Sequence, residues 1–253
     1  MGRYIAIANQ KGGVGKTTTA ANLACAFALA GKKCLLIDLD PQGNATTGLG
    51  LDKKPHQGAH MLLANPRRAA ETVVSTGIPD LDVIPSTSSL SDLESQLASA
   101  HDRAMRLKAS KAEFSQRYDF VIIDCPPSVG LFPCNALNCT DSVLVPIQCE
   151  YYAMEGLAQI LSGIAAIKAR ANPSIVLEGI LLTMFQASTF AREVASEVRD
   201  HFPEVVFRTV VPRDISLCEA PSHGLSILQY DPRSRGARAY VELAKELMNH
   251  EQR

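Results

Sequence analysis

Residues 10–19 read QKGGVGKTTT and follow the apolar stretch Tyr4–Ala8 with only Asn9 between. Glycines placed ahead of a Lys-Thr pair, between a strand and a helix, suit the holding of a phosphate chain. Gly15, Lys16 and Thr17 supply the second half of the pattern GxxxxGK[ST]. Its first glycine is missing: Gln10 stands there, followed by Lys11 and then Gly12 and Gly13. Glycines let the backbone turn its N–H groups toward a phosphate without obstruction from Cβ, and the helix that follows adds the positive end of its dipole. The run Gly12, Gly13, Val14, Gly15, Lys16, Thr17, Thr18 is therefore the expected cradle of a nucleoside triphosphate. Lys16 is expected to bridge the β- and γ-phosphates, Thr17 to ligate Mg²⁺ through its hydroxyl, and Thr18 to reach the α-phosphate side.

Two carboxylates stand at the ends of other apolar runs. Asp40 follows Cys34–Leu39 in LLIDLDPQGNAT, and Asp124 closes Phe120–Asp124. Ligands of open parallel sheets bind beyond the carboxyl ends of the strands, so both fall where Mg²⁺ would lie. Asp124 is placed to act on the metal through a water. Asp38 and Asp40 are two apart along an extended segment and can point the same way, with Asp40 further out. The competing role for Asp40 is a turn residue ahead of Pro41.

The elements that must position these groups alternate. Apolar runs at Tyr4–Ala8, Cys34–Leu39, Leu81–Ile84, Phe120–Asp124, Ser142–Ile147, Leu177–Met184 and Val205–Val211 are separated by helical patterns. Those patterns cover Lys16–Leu29, Leu90–Phe114, residues 153–171 and 190–202, and Arg235–Asn249. Strands apolar throughout, with helices between them, predict a three-layer α/β fold of the P-loop NTPase kind: a mainly parallel, twisted sheet covered by helices on both faces. Residues 50–80, with three prolines and several glycines, are the least regular part and read as an elaboration of one domain spanning 1–253.

Composition narrows the partners. With 25 basic and 26 acidic side chains the formal charge is −1, so a nucleic-acid surface would have to be a local patch. The seven cysteines, at 25, 34, 125, 134, 139, 149 and 218, include no CxxC pair and sit mostly in apolar surroundings. Reduced, packed thiols in a cytoplasmic protein are the expectation. A cluster site on Cys125, Cys134 or Cys139 is the alternative, although their spacing matches no metal motif. No signal peptide is read at the start, and no stretch approaches the ~20 apolar residues of a membrane span.

Five blocks in order, QKGGVGKTT, LLIDLDPQGNAT, FVIIDCPPS, PIQCEYYAMEGL and VPRDISLCEAPSHG, resemble the ParA/Soj chromosome- and plasmid-partition ATPases of the deviant Walker A class, which also holds MinD and the nitrogenase iron protein. The resemblance runs from residue 3 to about 248. It implies a slow, Mg²⁺-dependent ATPase that forms an ATP-sandwich homodimer. Lys11 matches the lysine that reaches across to the partner's phosphates. Asp40 matches the aspartate that orients the attacking water, and Asp124 the Walker B aspartate. Lys11, Lys16, Asp40 and Asp124 thus form the implied catalytic set, with Thr17, Asp40 and Asp124 around the metal. Pro212, Arg213 and Asp214 match the segment that walls the adenine, where the third residue is more usually Asn. A ParB-like protein would stimulate hydrolysis, and the dimer would bind double-stranded DNA without sequence preference on the nucleoid.

One departure bears on DNA. Ser188 stands where the family carries a DNA-contacting arginine, and Phe190 where an asparagine is expected. Arg192 could substitute from the next turn. Arg233, Arg235, Arg238 and Lys245 remain, the last three able to share one helical face, with Arg199 and Arg213 as possible neighbours. A solvated face paired with Glu242 and Glu246 is the competing reading. A MinD-like membrane role is the main alternative function, but LAKELMNHEQR is poor in large apolar residues, so no membrane partner is expected. A cluster-bearing relative of the iron protein and a non-enzymatic scaffold are the others.

Overall fold

A computed structural model describes residues 2–54, 57–150 and 153–250. In chain order the elements are β1 (Arg3–Ile7), α1 (Lys16–Leu29), β2 (Cys34–Asp38), α2 (Asn44–Gly48), α3 (Ala59–Ala64), β3 (Val74–Ser75), β4 (Leu81–Ile84), α4 (Ser89–Gln96), α5 (Arg106–Ala109), α6 (Lys111–Ser115) and β5 (Phe120–Asp124). They continue as α7 (Leu131–Cys139), β6 (Ser142–Gln148), α8 (Ala153–Arg170), β7 (Val176–Phe185), α9 (Thr189–His201), β8 (Val206–Pro212), α10 (Ser216–Glu219), α11 (Ile227–Tyr230) and α12 (Arg235–His250).

Among the described residues, eight strands form one sheet in the order β3-β4-β2-β5-β1-β6-β7-β8. Every pairing is parallel except β3 on β4. The central strands are apolar throughout because both faces are covered. In β1, Tyr4 and Ala6 face one layer, which α3 to α9 cover, while Ile5 and Ile7 face a second layer built from α1, α11 and α12. Phe27 of α1 stacks on Phe120 of β5 with centroids 4.0 Å apart, which seats α1 across the middle of the sheet.

The expected three-layer α/β architecture is the one observed. One expectation is corrected: Leu90–Phe114 is not one helix. The chain runs through α4, a 3₁₀ turn at Arg103–Met105, α5 and α6. Between Leu97 and Leu107 the only large apolar side chain is Met105, so the intervening turns have too little apolar surface to bury. Within residues 50–80, α3, a 3₁₀ turn at Pro66–Thr72 and β3 give short regular pieces, and β3 adds the antiparallel edge.

Candidate functional site

The carboxyl ends of β1, β2 and β5 lie side by side, with Ile7 paired to Asp124 and Asp38 paired to Asp124 in register. The sheet order therefore gathers the glycine-rich loop and both aspartate segments on one rim.

Gly13 and Gly15 have φ of 74° and 84°, the left-handed region that only glycine enters without strain. A Cβ added at Gly12 or Gly13 would meet nothing within 4 Å, so the loop borders open space at both glycines. Gly15 precedes α1 and no side chain among the described residues caps that helix, leaving its first N–H groups for a ligand. Lys16 is buried, and its Nζ donates to the Lys11 carbonyl at 2.8 Å. Burial pulls its pKa down, against the nearby charge of Asp124.

Asp124 is fully buried, and neither carboxylate oxygen finds a hydrogen-bond partner of sound geometry among the described residues. Burial, then the neighbouring Asp38 charge, raises its pKa well above the usual carboxylate range, while the Thr17 hydroxyl nearby acts the other way. Two orphaned buried oxygens beside Thr17 fit a site for a hydrated cation. Asp40 is buried and accepts from the Gln42 N–H at 2.9 Å, so its turn role ahead of Pro41 and its place on the rim coexist. Asp38 points inward, accepting from the backbone of Asp40 and from Thr46.

A cavity of about 470 Å³ opens beside the loop, with Gly15, Thr18, Met184, Pro212, Arg213 and Asp214 in its wall. The segment expected beside the base thus meets the segment expected around the phosphates. Asp214 accepts from Ser216 N and, at 2.9 Å, from Gly236 N, so its carboxylate fastens this wall to the start of α12. The Lys11 ammonium turns out of its own cradle to Glu150, 2.6 Å away, and both side chains are about half exposed (44% and 55%).

Spacing in the sequence does not place Glu150, Thr46 or Tyr240 beside these residues. Glu150 is plain to see inside PIQCEYYAMEGL, but its pairing depends on β6 ending beside the loop. Tyr240 belongs to α12, and its hydroxyl reaches Thr19 of α1 at 3.2 Å, a contact across 221 residues that no local pattern signals.

The basic residues divide. Arg233, Arg235, Arg238 and Lys245 are exposed on or just before α12. Arg235 donates to the Arg213 carbonyl at 3.4 Å, which makes Arg213 a neighbour. Arg192 and Arg199 are exposed on α9, which packs against the opposite layer, so they lie on the other face of the β8 edge. Glu242 pairs with Lys245 at 2.8 Å. Glu246 does not join the basic face: it accepts from the Arg208 and Thr209 N–H groups of β8. Ser188 caps α9, its Oγ accepting from Ala191 N at 3.1 Å, and Phe190 is 49% exposed.

Cys25, Cys34, Cys125 and Cys139 are buried, and no group of three potential metal ligands occurs among the described residues. No helix there is long and apolar enough to cross a membrane.

Comparison with known proteins agrees with this geometry. A family model for an AAA domain matches residues 2–177. The chain is 48% identical over 249 residues to the sporulation initiation inhibitor protein Soj of Bacillus subtilis, covering 98% of each chain. It is 46% identical to the chromosome partitioning protein ParA of Myxococcus xanthus, over 99% of this chain and 89% of that one. The chain belongs to the ParA/Soj family of partition ATPases. It is a P-loop ATPase. Among solved structures, a Mycobacterium smegmatis protein described as cobyrinic acid a,c-diamide synthase, with bound ATP analog and magnesium, superposes with a TM-score of 0.87 at 34% identity, over 100% of this chain and 96% of that one.

Proposed function

We propose that this ATPase is a nucleotide-dependent switch: with ATP and Mg²⁺ it closes into a homodimer that holds double-stranded DNA without sequence preference, and slow hydrolysis, stimulated by a ParB-like partner, releases it. In this reading the chain is one domain. Lys16 and the loop amides hold the β- and γ-phosphates, and Thr17 and Asp124 hold Mg²⁺, Asp124 through a water. Asp40 orients the attacking water, and Pro212–Asp214 wall the adenine. Mg²⁺, when bound, draws charge from the phosphates and lowers the barrier to their transfer.

The observation that carries the dimer is Lys11. Its ammonium does not enter its own cradle but sits in a half-exposed pair with Glu150. Exposed pairs of this kind are worth about 0–1 kcal/mol, so a second subunit's phosphates can displace Glu150 at little cost. The loop itself is open at Gly12 and Gly13. A charge brought in by a partner can raise phosphoryl transfer by about 10³–10⁵, which fits a protein whose turnover waits on assembly. DNA binding rests on the exposed arginines of α12 and on the family. A dimer presents two such helices, and avidity then ties DNA retention to ATP.

Lys11→Ala is the test. Sedimentation with Mg²⁺-ATP is expected to show a monomer that still binds nucleotide. Full dimerisation of this variant would refute the sandwich. The membrane alternative has less support, because the apolar side chains of α12, Ala237, Tyr240, Leu243, Ala244 and Leu247, are buried against α1 and the sheet.

A further inference from the structure

The segment carrying Asp40 is anchored by a buried relay away from the nucleotide cavity. Thr46 lies in the five-residue helix α2 and is fully buried. Its hydroxyl donates to Asp38 Oδ2 at 2.7 Å and accepts from Ser86 N, beyond the end of β4, at 2.9 Å. Its own N–H, one of the early amides of α2 without a helical partner, donates to the same Asp38 oxygen at 2.9 Å. Asp38 Oδ1 in turn accepts from Asp40 N at 3.1 Å. One threonine hydroxyl therefore links β4 to the carboxylate at the end of β2, and that carboxylate holds both the backbone of Asp40 and the start of α2.

We infer that Thr46 is a positioning residue for hydrolysis: through Asp38 it holds the Asp40 turn in the place from which Asp40 acts, without itself touching the nucleotide. The inference rests on the water-orienting role proposed for Asp40. Its chemistry is specific to a hydroxyl. Donor and acceptor functions are both used, by an anion on one side and an amide on the other. Valine has the same shape and supplies neither. It leaves the Ser86 N–H buried without a partner and takes from Asp38 its only side-chain donor among the described residues. The β2–α2 turn then loses its tie to β4, while the loop and Lys16, on β1 and α1, keep theirs. Small displacements of a reacting group cost rate far more than affinity.

The experiment compares Thr46→Val, Thr46→Ser and Asp40→Ala, reading ATP affinity by equilibrium binding and hydrolysis at saturating Mg²⁺-ATP. Thr46→Val is expected to lower kcat about ten- to a hundredfold with ATP affinity kept within about twofold, and Thr46→Ser to restore most of the rate. If valine at this site does not give folded protein, Thr46→Ala, which adds no bulk, is read for the same split. Unchanged kcat in the valine or alanine variant, beside a dead Asp40→Ala, overturns the inference and spares the role of Asp40. Loss of rate and affinity in step, or no rescue by serine, also overturns it and makes Thr46 a merely structural residue. If Asp40→Ala itself hydrolyses ATP normally, the reading of Asp40 falls first and takes this inference with it.

Discussion

The nucleotide rim and the arginine-bearing helices at the β8 edge are built on opposite plans. At the rim, Lys16, Asp38, Asp40 and Asp124 are buried, and three of them are held by hydrogen bonds: Lys16 by the Lys11 carbonyl, Asp40 by Gln42 N, Asp38 by Thr46. At the β8 edge the arginines stand in solvent, and Arg192, Arg199, Arg233 and Arg238 make no ion pair among the described residues. What is fixed there is the helix and not the side chain. α12 is seated by its apolar face and clipped near both ends by carboxylates on backbone amides, to the turn after β8 through Asp214 on Gly236 and to β8 itself through Glu246 on Arg208 and Thr209. A site for one defined transition state needs pre-placed groups, whereas a surface for phosphates of any sequence needs only mobile charge on a rigid base.

The contrast breaks most sharply at Asp40. In Asp40→Ala, hydrolysis measured in a single turnover is expected to fall about 10²–10⁴-fold, the range for removing a group with the water-orienting role proposed for Asp40. ATP binding and ATP-dependent assembly should persist, so DNA retention should become long-lived. Lys16→Ala comes next. A buried cation hydrogen-bonded to phosphate is worth about 1.5–3 kcal/mol, so ATP affinity by equilibrium binding should fall about ten- to two-hundredfold. DNA retention should then vanish with both nucleotide states, although no surface charge was touched. If Lys16→Ala protein still retains DNA, the two regions are not coupled.

The two plans also differ in how far they are legible in the sequence. The rim can be read because its groups are consecutive in the chain or close strands that are apolar from end to end. Gly12–Thr18 and Asp124, the last residue of FVIID, need only a parallel sheet to bring them together. Asp38 is harder: the alternation of an extended segment puts it beside Asp40, yet the structure turns it inward to Thr46, because α2 begins within the next few residues and needs an acceptor for its early N–H groups. The β8 edge is legible only as composition. Periodicity groups Arg235, Arg238 and Lys245, but it cannot tell that Glu246 faces β8 instead of the basic side chains, or that Arg192 and Arg199 leave from the opposite layer. Ser188 reads in the sequence as a missing arginine and is the cap of α9, a local role that spacing alone does not separate from a functional one.

A smaller effect tests the mobile-charge plan directly. Arg235→Glu with Arg238→Glu is expected to abolish retardation of duplex DNA by ATP-loaded protein at moderate salt. The corresponding neutral pair, both to Ala, should lower the slope of log affinity against log salt by about two units per subunit, roughly 0.9 for each phosphate no longer neutralised. ATP hydrolysis without DNA should be unchanged in both. Unchanged retardation in the glutamate pair would move the DNA surface elsewhere, with Arg192 and Arg199 on the opposite face as the next candidates.

The smallest effect separates the regions by pH. Arginines do not titrate in the accessible range, so DNA retention should carry no pH dependence of its own. The rim should. Burial pushes Asp38 up to about 6 despite the hydrogen bonds from Thr46, and raises Asp124 as well. An acid whose pKa is higher folded than unfolded binds more protons in the folded state between the two values. The empty protein therefore loses stability from this source as pH rises from about 4, the unfolded value, to about 6. A cation bound beside Asp124 requires the ionised form and favours it at Asp38 too, so Mg²⁺-nucleotide binding should release protons, and affinity should rise with pH through this window. Calorimetric titration near pH 6 in two buffers of different ionisation enthalpy measures that release. Binding heats that do not depend on the buffer would mean the rim carboxylates are already ionised in the empty protein. The two plans would then differ in burial alone and not in the proton that burial holds.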